Sequence, residues 1–411
     1  MLLGAEGGIS KKNISWILVL SIIFMHFMIA SPLGFPLTII PFVLIYFVIT
    51  HFRLAIRYVP FLVAIALLLW PFLVLMSYDL LGADAKLNDF VRTYMLWIFA
   101  LMVMVVGSTN RIKKTIDYSR EFLISAGVII SFSITQVLSA WIFSTTILYY
   151  PFGRFSYFGV NDASRIVRDG LARAPGFYLE PSFCAFVLFF LLSTILIREN
   201  RPLRVSFFVA GGICAMFIVG SATGIISLIA LAGLLISGFI KRRIRRIVTF
   251  IFLLFIIIVG MLLVLPQRIA EVSVEGTSGY WRLVAPLRIL SKVYIDYPIG
   301  IPFGQIENFV IPLGIQHGAG VGSSIDNGMY NFAFYFGWIA TVFLIWLFLK
   351  LILALYIGNQ ANIVYWWFVI ASLQFSGGIL LPEYIYPLLL ITYTYRVNKS
   401  QQQLIAVGIQ H

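Results

Sequence analysis

Charge is scarce in this chain: of 411 residues only 11% are Asp, Glu, Lys or Arg, against about 25% in a typical soluble domain. A solvated surface around a soluble globular enzyme is thereby excluded. Cysteine is nearly absent. The two present, Cys184 and Cys214, both fall inside apolar segments, which excludes a disulfide framework and a Cys/His zinc cluster. No two of the 16 acidic residues are spaced i, i+2, so the D-x-D metal clamp of many nucleotide-sugar enzymes is missing. No G-x-x-x-x-G-K-[ST] phosphate loop exists either. Gly318, Gly320 and Gly322 form half a dinucleotide fingerprint, but no buried strand precedes them, and a hinge is the simpler reading. The two halves share hydropathy but no convincing sequence repeat, which leaves an inverted-repeat architecture open.

Apolar residues fill the space that charge leaves, at 61% of the chain with 16% aromatic. Runs such as Ile14 to Ala30, Ala222 to Ile240 and Phe250 to Leu265 have the length needed to cross a hydrocarbon core of about 30 Å at about 1.5 Å per residue. The composition therefore predicts a single all-α, polytopic integral membrane domain over residues 1–411. Lys11 and Lys12 before the first run resemble the start of a signal peptide, but the run is long and further spans follow at once. It reads as a first, uncleaved helix.

The formal net charge of +13 suggests nucleic acid until its distribution is considered. Basic residues cluster at regular intervals between apolar runs, most densely at Lys241, Arg242, Arg243, Arg245 and Arg246. Placing that cluster in the cytoplasm places 19 basic and four acidic residues inside, and leaves 10 basic and 12 acidic residues outside. That is the positive-inside pattern of an inner-membrane protein. The basic balance is thus a topological signal and not a nucleic-acid footprint. It predicts about twelve spans, near 14–30, 35–50, 60–78, 93–108, 121–147, 182–197, 205–219, 222–240, 249–265, 329–349, 363–379 and 384–395, with both termini cytoplasmic. Two outer-face, periplasmic loops stand out by length, 148–181 and 266–328. Both are rich in aromatic and apolar residues and are expected to fold back onto the bundle.

The candidate chemistry gathers in these loops. Arg154, Arg165, Arg168, Arg173 and Glu180 lie in the first; Arg282, Arg288, Lys292, His317 and Asp326 lie in or near the second. Guanidinium forks match phosphate oxygens bidentately, and several together suit a dianion such as pyrophosphate. Pairing with Asp162, Asp169 and Asp296, or with anionic membrane lipids, would equally occupy them. Glu180 precedes Pro181 at the start of a span, where the helix dipole favours a carboxylate. Asp326 stands in Ser-Ser-x-Asp-Asn before another span, where it would serve as a cap. His317 is the lone outer-loop histidine, fit for a base or a phosphate partner or simply solvated. Glu383 is too costly to leave in lipid and is expected to face an outer cavity.

At these residues the sequence resembles the bacterial polysaccharide polymerases and O-antigen ligases that act on undecaprenyl-pyrophosphate-linked glycans, most of all the colanic acid polymerases. The resemblance covers roughly residues 170–395. It rests on Arg-x-x-Gly-Phe-x-x-Glu-Pro-Ser at 173–182, Gly-Ser-x-Thr-Gly at 220–224, Glu-Gly-x-Ser at 275–278, Tyr-Trp-Arg at 280–282 and Tyr-Pro-Ile-Gly at 297–300. Asp-Asn-Gly-x-Tyr at 326–330 and Ser-Gly-Gly-x-Leu-Leu-Pro-Glu-Tyr at 376–384 complete it. The ligase branch carries a His-x-x-x-Asn or His-Asn feature where this chain has Asp326 and Asn327, which favours polymerase over ligase.

The resemblance implies a membrane-embedded glycosyltransferase of the multi-helix C class, working at the periplasmic face without metal or other cofactor. Donor and acceptor would both be undecaprenyl-pyrophosphate-linked oligosaccharide, with chain-length regulators and export machinery as further partners. In that chemistry Arg173 and Arg282, with Arg168 and Arg288, hold the pyrophosphate as its charge develops. Asp326 and Glu180 compete as the base for the acceptor hydroxyl. Tyr280, Trp281, Asn327, Tyr330, His317 and Glu383 would contact substrate, the aromatic rings by stacking on sugar faces. A transporter or flippase of lipid-linked glycan is the competing class. It would place ionisable groups mid-span, whereas here nearly all lie at span ends or in loops.

The charge partition makes a direct prediction. An impermeant thiol reagent should label Arg243→Cys only from the cytoplasmic side; labelling from outside would invert the topology.

Overall fold

An apolar chain in hydrocarbon must satisfy its own backbone N–H and C=O groups, and helices do so within one segment. The computed structural model describes residues 15–26, 28–29, 37–46, 61–77, 87–107, 118–143, 167–168, 171–172, 174–178, 181–199, 201–238, 240, 242–252, 274, 280, 284–310, 327–375 and 380–406. These are helical apart from turns and two antiparallel pairs of two-residue strands, β1 (Met28–Ile29) with β2 (Leu37–Thr38) and β3 (Val167–Arg168) with β4 (Leu171–Ala172).

The helices are α1 (Trp16–Ile23), α2 (Phe61–Ser77), α3 (Leu87–Gly107), α4 (Ser119–Phe143), α5 (Pro181–Arg198), α6 (Pro202–Val219) and α7 (Ala222–Gly238). They continue with α8 (Ala285–Asp296), α9 (Ile306–Val310), α10 (Gly328–Phe336), α11 (Trp338–Ile357), α12 (Gln360–Ser372) and α13 (Pro382–Ala406). Residues 39–46 and 243–252 are helical as well. Each expected span overlaps described helix, but 249–265 does so only over 249–252, its remainder lying outside the described residues, and the first two spans also hold β1 and β2. Among the described residues four helices are long and apolar enough to cross a membrane: Leu87–Met104, Ser119–Ile142, Pro181–Arg198 and Trp338–Ile357.

One of these four differs from the rest. The spanning window of α5 is 83% buried, against 22–33% for the other three, and α4, α6, α7, α12 and α13 pack around it. A helix apolar on every face belongs at the centre of such an assembly. Phe186, Phe189 and Phe190 supply its contacts, with Phe368, Phe375 and Tyr384 against them. By contrast α11 exposes Trp338, Val342, Ile345 and Leu349, the face expected of a helix that meets lipid. Helices α4 and α5 run antiparallel: Arg198 donates to the Ser119 hydroxyl at one end (3.2 Å), and Ser133 meets Cys184 near the other (3.8 Å).

Two sequence expectations need correction. The span expected at 329–349 is not one helix, because Gly337 (φ 53°, ψ −133°) breaks it into α10 and α11. Its N–H still reaches Ala333 (2.8 Å), while the Trp338 N–H turns to the carbonyl of Pro298 (3.1 Å). Second, the stretch expected as a long loop over 266–328 contains α8 and α9. Ala285, Ile289 and Val293 recur at i, i+4 and i+8 and are buried, giving α8 one apolar face. Residues 298–305 then press on the α10–α11 break, with Ile301 N–H on Phe334 O (2.7 Å) and Phe303 buried against Trp97, Tyr335 and Phe336.

A Cβ added at Gly337 would lie 2.2 Å from the Pro298 carbonyl oxygen, and the backbone there is one that only glycine adopts freely. Gly337→Ala should therefore lose at least about 2 kcal/mol, read as a loss of monodisperse protein on heating in detergent. Gly127→Ala, where nothing lies within 4 Å, should be neutral in the same measurement.

Candidate active site at one end of the bundle

Several helix ends meet. Tyr384, near the start of α13, stacks on Phe186 near the start of α5 (5.5 Å, 5°). Its hydroxyl bonds Ser372 at the end of α12 (2.7 Å). The start of α10 is tied to the same place, because Gly328 N–H donates to Leu373 O (2.8 Å). On the other side of α5, the turn 174–178 joins through Tyr178, whose hydroxyl donates to Ile22 O in α1 (3.1 Å). The chain segments adjoining Glu180, Asp326 and Glu383 are thereby gathered at one end of the helical bundle.

Among the predicted residues, Asn327 is the best defined. It is buried and caps α10, its Oδ1 accepting from Met329 N–H (3.0 Å). Its Nδ2 donates to Gln374 Oε1 (2.8 Å), and Gln374 reaches back to Met329 Sδ (3.6 Å). The sequence offered Asp326 as a cap, but Asn327 holds that position. The cap therefore does not require a carboxylate at 326.

Glu383 opens α13 and accepts from the Thr38 hydroxyl of β2 (2.5 Å). Pro387 four residues on has no N–H, so the Glu383 carbonyl lacks its usual intrahelical donor. Tyr280 is buried, its hydroxyl accepting from Arg288 on α8 (3.0 Å) while the guanidinium lies over its ring (5.5 Å). Arg288 is itself exposed. Tyr330 is half-buried in the first turn of α10, near Phe334 (6.4 Å). Arg168 is described through its backbone alone, paired with Leu171 across β3–β4. Arg173, Glu180, Trp281, Arg282, His317 and Asp326 lie outside the described residues.

Three polar residues at this end escaped the sequence reading. His26 is buried with Nδ1 unpartnered, edge-on to Phe183 (4.4 Å) and Tyr178 (5.4 Å). Gln136 on α4 bonds both backbone groups of Gly176, and Gln374 holds the α10 cap. Only proximity in space marks them, since a glutamine inside an apolar run has no motif of its own. No group of three or more His, Cys, Asp or Glu is placed to hold a metal among the described residues.

With this arrangement in view, the relationship to known proteins is informative. A family model described as WcaD colanic acid polymerase matches residues 14–400. The chain belongs to that family. It is also 24% identical over 369 residues to a protein of Escherichia coli (strain K12) described as "Putative colanic acid polymerase", covering 86% of this chain and 89% of that one. No solved structure matches. Membership in the WcaD family gives a polysaccharide polymerase role in a membrane context, and its match reaches from α1 into α13, so the clustered helix ends fall within it.

Asn327→Ala removes the α10 cap and one Gln374 contact together. It should cost about 1–2 kcal/mol, measured as an earlier loss of folded protein on heating, while Asn327→Asp, which still caps but cannot donate to Gln374, should keep only part of that stability.

Proposed function

We propose that this chain extends an exopolysaccharide of colanic acid type by moving the growing glycan from undecaprenyl pyrophosphate onto a hydroxyl of the next lipid-linked repeat unit. About twelve spans would set it in the inner membrane with both termini cytoplasmic and the clustered helix ends at the periplasmic face. The observation that carries this reading is the convergence at one end of the bundle of the segments adjoining Glu180, Asp326 and Glu383. Family membership supplies the class of reaction.

In the proposed step a bond forms between the acceptor oxygen and the anomeric carbon of the donor sugar, and the anomeric carbon–oxygen bond to pyrophosphate breaks. The electron pair leaves with undecaprenyl pyrophosphate, whose growing charge Arg173 and Arg282, aided by Arg168 and Arg288, would hold through preorganised donors. The acceptor proton passes to a carboxylate. Asp326 is the first choice, since Asn327 already caps α10, and Glu180 is the second. The carrier pyrophosphate is already an activated leaving group, so no nucleotide sugar is needed, and with no acidic pair at ligand spacing the arginines would take the place of a metal. Tyr330 and Trp281 would stack on sugar and His317 and Glu383 would orient hydroxyls, while Asn327, buried in its cap, would set the start of α10 rather than touch substrate.

Arg282→Lys keeps the charge but loses the bidentate fork, and should lower turnover by about 100-fold. Asp326→Asn keeps size while removing basicity, and should give abundant, inactive protein. Both are read as polymer length against protein level in cells lacking the native chain, and with purified protein in excess chelator. Full-length polymer from Asp326→Asn at normal abundance would remove Asp326 as the base, and activity lost to chelator but restored by magnesium would remove the metal-free mechanism.

A further inference from the structure

Gln136 lies on the face of α4 that meets the turn 174–178, and it is fully buried. Its Nε2 donates to Gly176 O (3.0 Å) and its Oε1 accepts from Gly176 N–H (2.9 Å). Because a backbone N–H only donates and a C=O only accepts, this pairing also fixes which way the amide points. One turn earlier on the same helix face, the Phe132 ring stacks on Phe177 (4.2 Å, 14°). Gly176 is in the left-handed region (φ 62°), and a Cβ there would lie 3.1 Å from Cys184 Sγ. Tyr178 N–H closes the turn on Pro175 O (3.1 Å), and its hydroxyl pins it to α1.

The grip is stronger than packing requires. A buried glycine turn without regular hydrogen bonding leaves a donor and an acceptor with no partner in an apolar surround, and one side chain from another helix meets both. The turn's immediate neighbours in sequence are Arg173 on one side and Leu179-Glu180 on the other.

We propose that Gln136 is a positioning residue of the polymerising site: an amide clamp from α4 that holds the 174–178 turn, the segment that lies between Arg173 and Glu180 in the sequence. This rests on the site assignment made above, and it predicts a loss of turnover from a residue that never touches substrate.

Cys184 is a native reporter of the clamp, since it is buried beneath the turn and next to Ser133. In a full-length Cys214→Ser protein, a small thiol reagent should leave Cys184 unmodified, whereas adding Gln136→Leu should raise its labelling rate several-fold. The same variant should show turnover of purified protein, on the lipid-linked repeat unit that accumulates without polymerase, reduced about 10- to 100-fold at matched protein amount. Gln136→Glu keeps an acceptor for the Gly176 N–H and should fall between the two; it also serves if Gln136→Leu does not fold. Unchanged Cys184 labelling in both variants would overturn the clamp. Labelling that rises while turnover per molecule stays normal would overturn the positioning role, as would polymer that declines only in proportion to protein level. Arg173→Ala and Glu180→Gln run alongside: if both keep full activity, the site assignment fails, whatever Cys184 reports.

Discussion

A backbone polar group buried in the apolar bundle has to find a partner away from water, and the rest of the structure follows from that constraint. Helices meet it within themselves. Difficulty arises where a helix starts, ends or breaks, and there the partners come from elsewhere in the chain. Gln136 serves Gly176, Asn327 serves Met329, Leu373 serves Gly328, and Pro298 serves Trp338 across the break at Gly337. Arg246 plays the same part at the opposite end, its guanidinium donating to the carbonyls of Ile240 and Tyr356 and lying against Gly358. Each of these irregular points is braced by a second element.

That bracing also explains why chemistry belongs at helix ends in such a molecule. A charged side chain in mid-span is costly, and α5, the centre of the bundle, carries none before Arg198. At a helix end, irregular backbone, polar side chains and access to the aqueous face coincide. A lipid-linked substrate, with its carrier in the bilayer and its sugars in water, presents its scissile bond at that same level. On the function proposed above, the bases and phosphate-binding groups would belong where this bundle gathers the starts of α5, α10 and α13.

Much of the fold was legible from periodicity and composition, because apolar length alone decides where helices lie. The regions placed at 182–197 and 222–240 correspond to α5 and α7 almost to the residue. The break at Gly337 was not legible: a glycine between two apolar runs reads as continuous, and only the approach of Pro298 shows why the helix stops. The cap of α10 shows the same limit at finer scale. Ser-Ser-x-Asp-Asn offers four side chains able to cap, and local sequence does not rank them. Asn327 is selected because its amide also meets Gln374, 47 residues away in the chain.

By itself, then, the sequence determined the membrane class, most of the helix positions, and the family to which the Arg-x-x-Gly-Phe-x-x-Glu-Pro-Ser and Asp-Asn-Gly-x-Tyr patterns belong. These are properties of length, charge and local order along the chain. Tertiary structure alone decided which helix is central, which residue caps α10, that Arg288 is joined to Tyr280, and that a glutamine on α4 holds a glycine turn 40 residues later. Each of these depends on two segments meeting in space, and a single hydrogen-bonding side chain in an apolar run carries no mark of its partner until the chain has folded.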